Sequence, residues 1–284
     1  MKNWGARPRA ASLPSACQIS GSAPIYPIIL TGFLGSLAAG LATVLGAIPL
    51  FGAGRPSARL EKGFLGFAAG VMLAASFFSL IIPGLEQGEA AGFSRTASAA
   101  IVIAAMLTGG AFVGLINRLV PALDGIGLPP NKGVSAATHR RICLFVAAIT
   151  LHNFPEGLAV GVSFGTGDFG AGYATALGIG LQNIPEGLTV AAALMTIGYA
   201  RGHSIVAALG SGLVEPVGGF IGVATVAAVA GLLPLALGFA AGAMIYVVSS
   251  EIIPHAHRDD EHGIATIGLM IGLAAMMFLD ISLG

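Results

Sequence analysis

Eight stretches of this chain are apolar for about 20 residues or more, the length at which a helix spans the ~30 Å hydrocarbon core of a bilayer. They run Tyr26–Phe51, Phe64–Leu85, Thr96–Asn117, Ile142–Phe164, Ala171–Ile197, Ile205–Val229, Leu233–Ile253 and Ile264–Leu283. Little sequence remains for a water-soluble domain. Charged residues make up 9% of the chain, against roughly 25% in soluble domains. Its 43 glycines and 15 prolines suit membrane helices, where glycine permits close approach and carbonyls freed by proline find other partners. The expected fold is an all-α membrane protein of eight transmembrane helices, a single domain over residues 25–284. Residues 1–24 lack the central apolar run of a cleavable signal peptide and read as a disordered polar tail.

Loop charge sets the direction of insertion. Loops after the odd-numbered spans carry Arg55, Arg59, Lys62, Arg118, Lys132, Arg140, Arg141, Arg201 and Arg258, nine of the 13 basic residues. The other side carries Lys2, Arg7, Arg9 and Arg95. The bias places the nine inside and both termini outside, although the N-terminal tail is as basic as the loop after span one. Formal net charge is zero, which gives no reason to expect nucleic acid as a partner. Cys17 and Cys143 form neither a disulfide framework nor a CxxC metal site, and Cys143 reads as a small apolar residue at a helix start.

Two internal repeats follow. LGFAAGVM (Leu65–Met72) in span two returns as LGFAAGAM (Leu237–Met244) in span seven. Those spans run in opposite directions in this topology, the signature of inverted repeats that enclose a midplane site. Spans 1–3 then correspond to spans 6–8, with spans four and five as the central pair. HNFPEGLAV (His152–Val160) in span four returns as QNIPEGLTV (Gln182–Val190) in span five, so these antiparallel neighbours face similar motifs toward each other.

A charge at the bilayer centre costs at least ~2.5–3.5 kcal/mol, yet Glu156, Glu186 and Glu215 lie near the middles of their spans. His152 and Asn153 share a helix face with Glu156, and Gln182 and Asn183 share one with Glu186, by i,i+3 and i,i+4 spacing. Pro155 and Pro185 each precede a glutamate and free the carbonyls of Leu151 and Leu181. Three buried carboxylates repel one another unless a cation holds them. An alkali ion has no need of the imidazole, and calcium or magnesium prefers oxygen alone. Nitrogen with carboxylate suits zinc, iron, cobalt, manganese or cadmium, while the lack of thiolate argues against Cu(I). Met72 offers a thioether at mid-depth, with plain packing as the other reading. A hydrogen-bonded helix clamp and a metal-free proton relay are the remaining readings of the cluster.

On HNFPEG and QNIPEG the chain resembles the ZIP (Zrt/Irt-like) family of divalent-metal transporters, its bacterial members most closely. LGFAAGVMLAAS, SGLVEP, LGFAAGAM with SSEIIPHAHR, and the terminal MMFLD support the likeness across the chain after the tail. The resemblance implies a two-metal site. One ion takes His152, Glu156, Gln182 and Glu186, with Met72 as an optional fifth ligand; its neighbour takes Asn153, Glu156, Asn183, Glu186 and Glu215. Some bacterial relatives carry Asp where this chain has Asn183, so a weaker second position is expected here. The resemblance also implies a homodimer in the bacterial inner membrane and elevator-like movement of spans four and five. Zinc is the expected cargo, with cadmium, iron and manganese as further ions, and no resident cofactor is implied. Ser79, Glu86, Glu251 and Asp280 resemble positions along the family's metal path. His255, His257 and His262, in HAHRDDEH, fall where an inner receiving or sensing site would lie, or form a solvated polar turn. Residues Val120–Arg141 hold only His139, so metal buffering by that loop is not expected.

The chain has no HExxH, the paired ligands and general base of a zinc protease, and no GxxxxGK[ST] loop for ATP. An enzyme is therefore not expected. A membrane metal sensor, or a proton-linked transporter of another substrate, is the alternative to a metal carrier.

Overall fold

The computed structural model describes residues 25–52, 57–119, 134–258, 260 and 263–283. The tail at 1–24 and His262 lie outside the described residues. Within them the protein is helical, with no strand. The helices are α1 (Ile25–Ala47), α2 (Ala58–Ala74), α3 (Ile82–Ala90), α4 (Arg95–Leu119), α5 (Ala136–Gly165), α6 (Phe169–Thr196), α7 (Arg201–Gly212), α8 (Glu215–Ala228), α9 (Leu233–Val247), α10 (Ile253–His257) and α11 (Ile264–Leu283).

Seven helical segments are long and apolar enough to cross a membrane. These are α1, α4, α5, α11 and the stacked pairs α2–α3, α7–α8 and α9–α10. The 28-residue α6, expected as the fifth span, is not among them, because Gln182, Asn183, Pro185, Glu186 and its glycines dilute its apolar character. It nevertheless runs parallel to α1, with Gly180 beside Ala39 and Gly187 against the carbonyl of Thr43.

Three spans that read as continuous in the sequence are interrupted. Residues Ala75–Ile81 join α2 to α3 as π-helix, and Val248–Ile252 join α9 to α10 likewise. Each wide turn is followed by a proline, Pro83 or Pro254, at the start of the next helix. A proline offers no N–H to the carbonyl four residues back, here Ser79 or Ser250, so the regular ladder cannot close there. Span six breaks at Leu213–Val214, between α7 and α8. Glu215-Pro216 opens α8, where a missing N–H and a fixed φ cost nothing.

The helices form two groups. Helices α1, α5, α6, α7 and α8 pack together, and α2, α3, α4, α9, α10 and α11 form the other group. Glycine sets the spacing inside each. A side-chain carbon on Gly157 or Gly161 of α5 would overlap the carbonyl of Glu215 or Gly219 of α8. In the second group, Gly66 and Gly70 press on Ala265 and Leu269 of α11, while Gly238 and Gly242 press on Val102 and Met106 of α4. These glycines belong to the two LGFAAG words, so the repeat does the same packing task twice. Across the seam between groups, Gly178 instead meets the Met276 side chain, and Gly170 at the first turn of α6 is the only described glycine set against a backbone carbonyl, that of Leu283.

Replacing Gly157 with Val should push α5 off α8. Overpacking of this kind costs about 1–3 kcal/mol, equivalent to roughly 2–12 °C of melting temperature in a chain this size. Gly202→Ala, where a side-chain carbon meets open space, should leave the detergent melting curve unchanged.

Candidate metal centre

Three helices of the first group bring the polar residues together at mid-depth. Helix α5 supplies His152, Asn153 and Glu156; α6 supplies Gln182, Asn183 and Glu186; the first residue of α8 is Glu215. None of the seven is more than 2% exposed. His152 Nε2 lies 3.3 Å from Glu186 Oε2 and 3.9 Å from Glu156 Oε1. One ligand atom each from His152, Glu156 and Glu186 lies within 4.8 Å of the others, close enough for a single ion to draw them in.

The amides hold the carboxylates. Gln182 Nε2 donates to Glu156 Oε1. Asn183 Nδ2 donates to Glu215 Oε1 at 2.6 Å and to the carbonyl of Ala39 at 2.8 Å. Asn153 Nδ2 donates to Ser211 Oγ at 3.2 Å, which also accepts from Thr150 Oγ1 at 3.2 Å. Each residue then keeps one buried polar atom without a partner: His152 Nδ1, Asn153 Oδ1, Glu156 Oε2, Gln182 Oε1, Asn183 Oδ1, Glu186 Oε1 and Glu215 Oε2. Buried polar atoms are nearly always satisfied. Six unsatisfied oxygens beside an imidazole form a donor set of the kind that a divalent ion of the zinc type takes.

The other residues singled out in the sequence are spread along the bundle. Met72 is fully buried in the main apolar cluster, as is its repeat counterpart Met244. Ser79, in the first π segment, donates to Asp280 Oδ1 at 2.7 Å, and Glu86 is exposed in the middle of α3. A cavity of about 680 Å³ runs from Glu186 to the opposite end of the bundle, past Glu251 and Ser250 to Glu61, His255 and Arg258. His255 stacks on Phe145 at 4.8 Å. His257 turns away, with its ring nitrogens 3.0 Å from the Ile253 carbonyl and 3.1 Å from Thr266 Oγ1.

Two contributors were not found in the sequence. Ser211 sits one helical turn before Glu215 in SGLVEP, a spacing that was available as a signal. The Ala39 carbonyl had none, since a backbone acceptor leaves no trace in residue type. Glu61, at the cavity mouth, was also overlooked among loop charges.

The family described as "ZIP Zinc transporter" matches residues 127–280. The zinc transporter ZIPB of Bordetella bronchiseptica is 46% identical over 252 residues, which cover 88% of this chain and 81% of its own length. The zinc transporter GufA of Myxococcus xanthus is 43% identical over 256 residues, 89% of this chain and 99% of its own. The human zinc transporter ZIP11 is 33% identical over 347 residues, 94% of this chain and 100% of its own.

Asn183 ties α6 to both Glu215 and α1 through one nitrogen. In Asn183→Asp that nitrogen becomes a carboxylate oxygen facing a carboxylate and a carbonyl. We expect the variant to melt about 5–10 °C lower in chelator, the scale of a few kcal/mol for a lost buried charge-assisted bond. Added zinc should stabilise it more than the natural chain, with metal stoichiometry by mass spectrometry rising from one tight ion toward two. Two equally tight ions in the natural chain would remove the basis for this expectation.

Proposed function

This chain belongs to the ZIP zinc transporter family, and we propose that it carries zinc across the membrane through the His152–Glu156–Glu186 centre. The supporting observation is the set of unpartnered ligand atoms, fully buried in an apolar bundle, at the closed end of a cavity that begins at Glu186 and reaches the bundle end. A purely structural clamp would satisfy its own polar atoms.

The physical sequence is short. Zinc loses water as it enters, and the carboxylates, imidazole and amide oxygens replace those ligands. Glu156 and Glu186 are the bridging ligands if a second ion enters, held by Asn153, Asn183 and Glu215. Met72 serves as the optional fifth ligand if a rotation brings its sulfur inward. Ions of similar preference, such as cadmium, iron and manganese, compete for the same donors. Release proceeds down the cavity past Glu251 and His255; Glu86, Ser79 and Asp280 mark the approach from the other end. No step forms or breaks a covalent bond, in keeping with a transporter and not an enzyme.

Movement in this reading is of the elevator type. Glycine-to-carbonyl contacts lock each helix group internally, whereas the seam is filled mainly by side chains such as Met276 and Val71. Side-chain surfaces slide at lower cost than interlocked backbones, so the group holding the ligands moves as a body. Helix α6, parallel to α1 along its length, is the eighth crossing. The same reading takes the molecule as a homodimer in the bacterial inner membrane with both termini outside, an orientation supported by the loop charges.

Zinc influx into proteoliposomes tests the proposal. Glu156→Ala and Glu186→Ala should each reduce flux at least tenfold, a loss of about 1.4 kcal/mol or more of ion stabilisation, while the protein still inserts and folds. Near-normal flux through Glu156→Ala would overturn the central site, and tight binding without any flux in the natural chain would mark a sensor. His152→Asp should shift competition among cadmium, zinc and manganese toward manganese; an unchanged order would mean that the imidazole does not touch the ion.

A further inference from the structure

Outside the central site, the structure gathers a second group of metal-ligating side chains that the sequence kept apart. Cys143 and His139 are separated by one turn of α5, and Cys143 Sγ lies 3.8 Å from both His139 Nδ1 and His139 Nε2. Tyr199 approaches from the turn after α6, its hydroxyl 3.1 Å from His139 Nε2. That turn is fixed by Gly198 at φ +87°, with Gly198 N–H donating to Met195 and Tyr199 N–H to Leu194, the doubly bonded helix end that demands a left-handed residue. Cys143 is a free thiol, and all three side chains are half-buried.

We propose that Cys143 and His139 form a second binding site for a thiophilic divalent ion, zinc or cadmium, with Tyr199 as the residue that orients the imidazole. Zinc bonds of about 2.3 Å to sulfur and 2.0–2.1 Å to nitrogen, at a tetrahedral angle, place the two ligand atoms about 3.6 Å apart. The observed 3.8 Å is within a small side-chain adjustment of that separation. A proton on His139 Nε2, donated to Tyr199 Oη, leaves Nδ1 with the free lone pair, which a rotation of the ring turns toward the thiol; such a hydrogen bond is the usual outer support of a metal-bound imidazole. On binding, the thiol releases its proton to water and the thiolate and Nδ1 each give an electron pair to the ion; water fills the remaining positions. Two protein ligands make an exchangeable site, not a closed structural one.

The pair sits on the helix that also forms part of the cavity wall. Ile142 and Leu144, on either side of Cys143 in the chain, line the cavity that descends from Glu186, as does Phe145. Cys143, His139 and Tyr199 do not themselves line that cavity, so the pair is a separate site on the same helix. The thiolate also distinguishes it chemically from the central site, whose donors include no thiolate.

The test uses the full chain with Cys17→Ser, so that Cys143 is the single thiol, and follows its alkylation by a maleimide with and without zinc. Zinc should slow labelling at least tenfold, and cadmium should produce a thiolate-to-metal absorption band that vanishes in Cys143→Ser. His139→Ala should abolish protection. Tyr199→Phe, which keeps both ligands, should raise the half-protecting zinc concentration roughly 10–100-fold, the usual effect of losing outer support. A Glu156→Ala, Glu186→Ala double variant should keep full protection although its flux is lost, which separates this site from the central one. Labelling indifferent to zinc, protection that survives His139→Ala, or protection that disappears with the central glutamates would each overturn the proposal.

Discussion

Everything in this molecule answers to the burial of Glu156, Glu186 and Glu215 in one apolar bundle. Charges taken out of water need compensation that the surroundings cannot provide. The protein supplies half of it. Glu156 receives an N–H from Gln182, Glu215 receives one from Asn183, and Glu186 faces His152. On each carboxylate the second oxygen stays open. Full internal satisfaction would leave nothing for a cargo ion to gain, and none at all would leave a core too unstable to exist between loads. Half-satisfaction is a state in which an ion binds and can still be released.

That arrangement sets demands on the helices. Glu156 and Glu215 come together only because Gly157 lets α5 lie on the backbone of α8 at Glu215. Glu215 reaches Asn183 from the start of α8, so a span that must cross the bilayer is interrupted where its ligand is needed. Pro216 makes the interruption cheap: it fits the first turn of a helix and leaves the Gly212 carbonyl without its usual donor. Irregular backbone at this depth is tolerated only against protein or a polar cavity, and Gly212 packs on Gly40 of α1. Glycine, proline and carboxylate are thus three parts of one solution.

What the sequence made legible follows from the range of the signal. Helical periodicity is local, so His152, Asn153 and Glu156, or Gln182, Asn183 and Glu186, could be placed on common faces from spacing alone. Most span limits fell within about four residues of the helix ends, because apolar length is a local property, whereas α2 and α5 begin six residues before Phe64 and Ile142 with polar turns that apolar length does not register. The breaks were harder. SGLVEP and the two IIP words sit inside runs that remain apolar, and whether a proline bends, widens or ends a helix depends on what packs against the freed carbonyl. The His139–Cys143–Tyr199 group was illegible for a different reason: Tyr199 lies far along the chain and is delivered by a glycine turn whose direction only the fold defines. Cys143 therefore read as a small apolar residue, and His139 as a solitary loop histidine.

The two π segments show how an internal repeat can serve two ends of one route. Counted from the LGFAAG words, Ser79 and Glu251 occupy equivalent positions, and each lies within the π segment of its span. A π turn rotates the residues it contains away from the face they would hold in an α-helix. In span two the rotated residue is Ser79, bonded to Asp280; in span seven it is Glu251, which lines the cavity below Glu186. Because these spans run in opposite directions, with Gly84 of α3 against Pro234 and Leu237 at the start of α9, one deformation used twice turns a polar side chain toward opposite ends of the bundle. The IIP words that follow lie one residue closer to the repeat in span seven than in span two, and the π segment there is shorter, five residues against seven, so the second half of each span departs from the repeat just where the polar side chains differ.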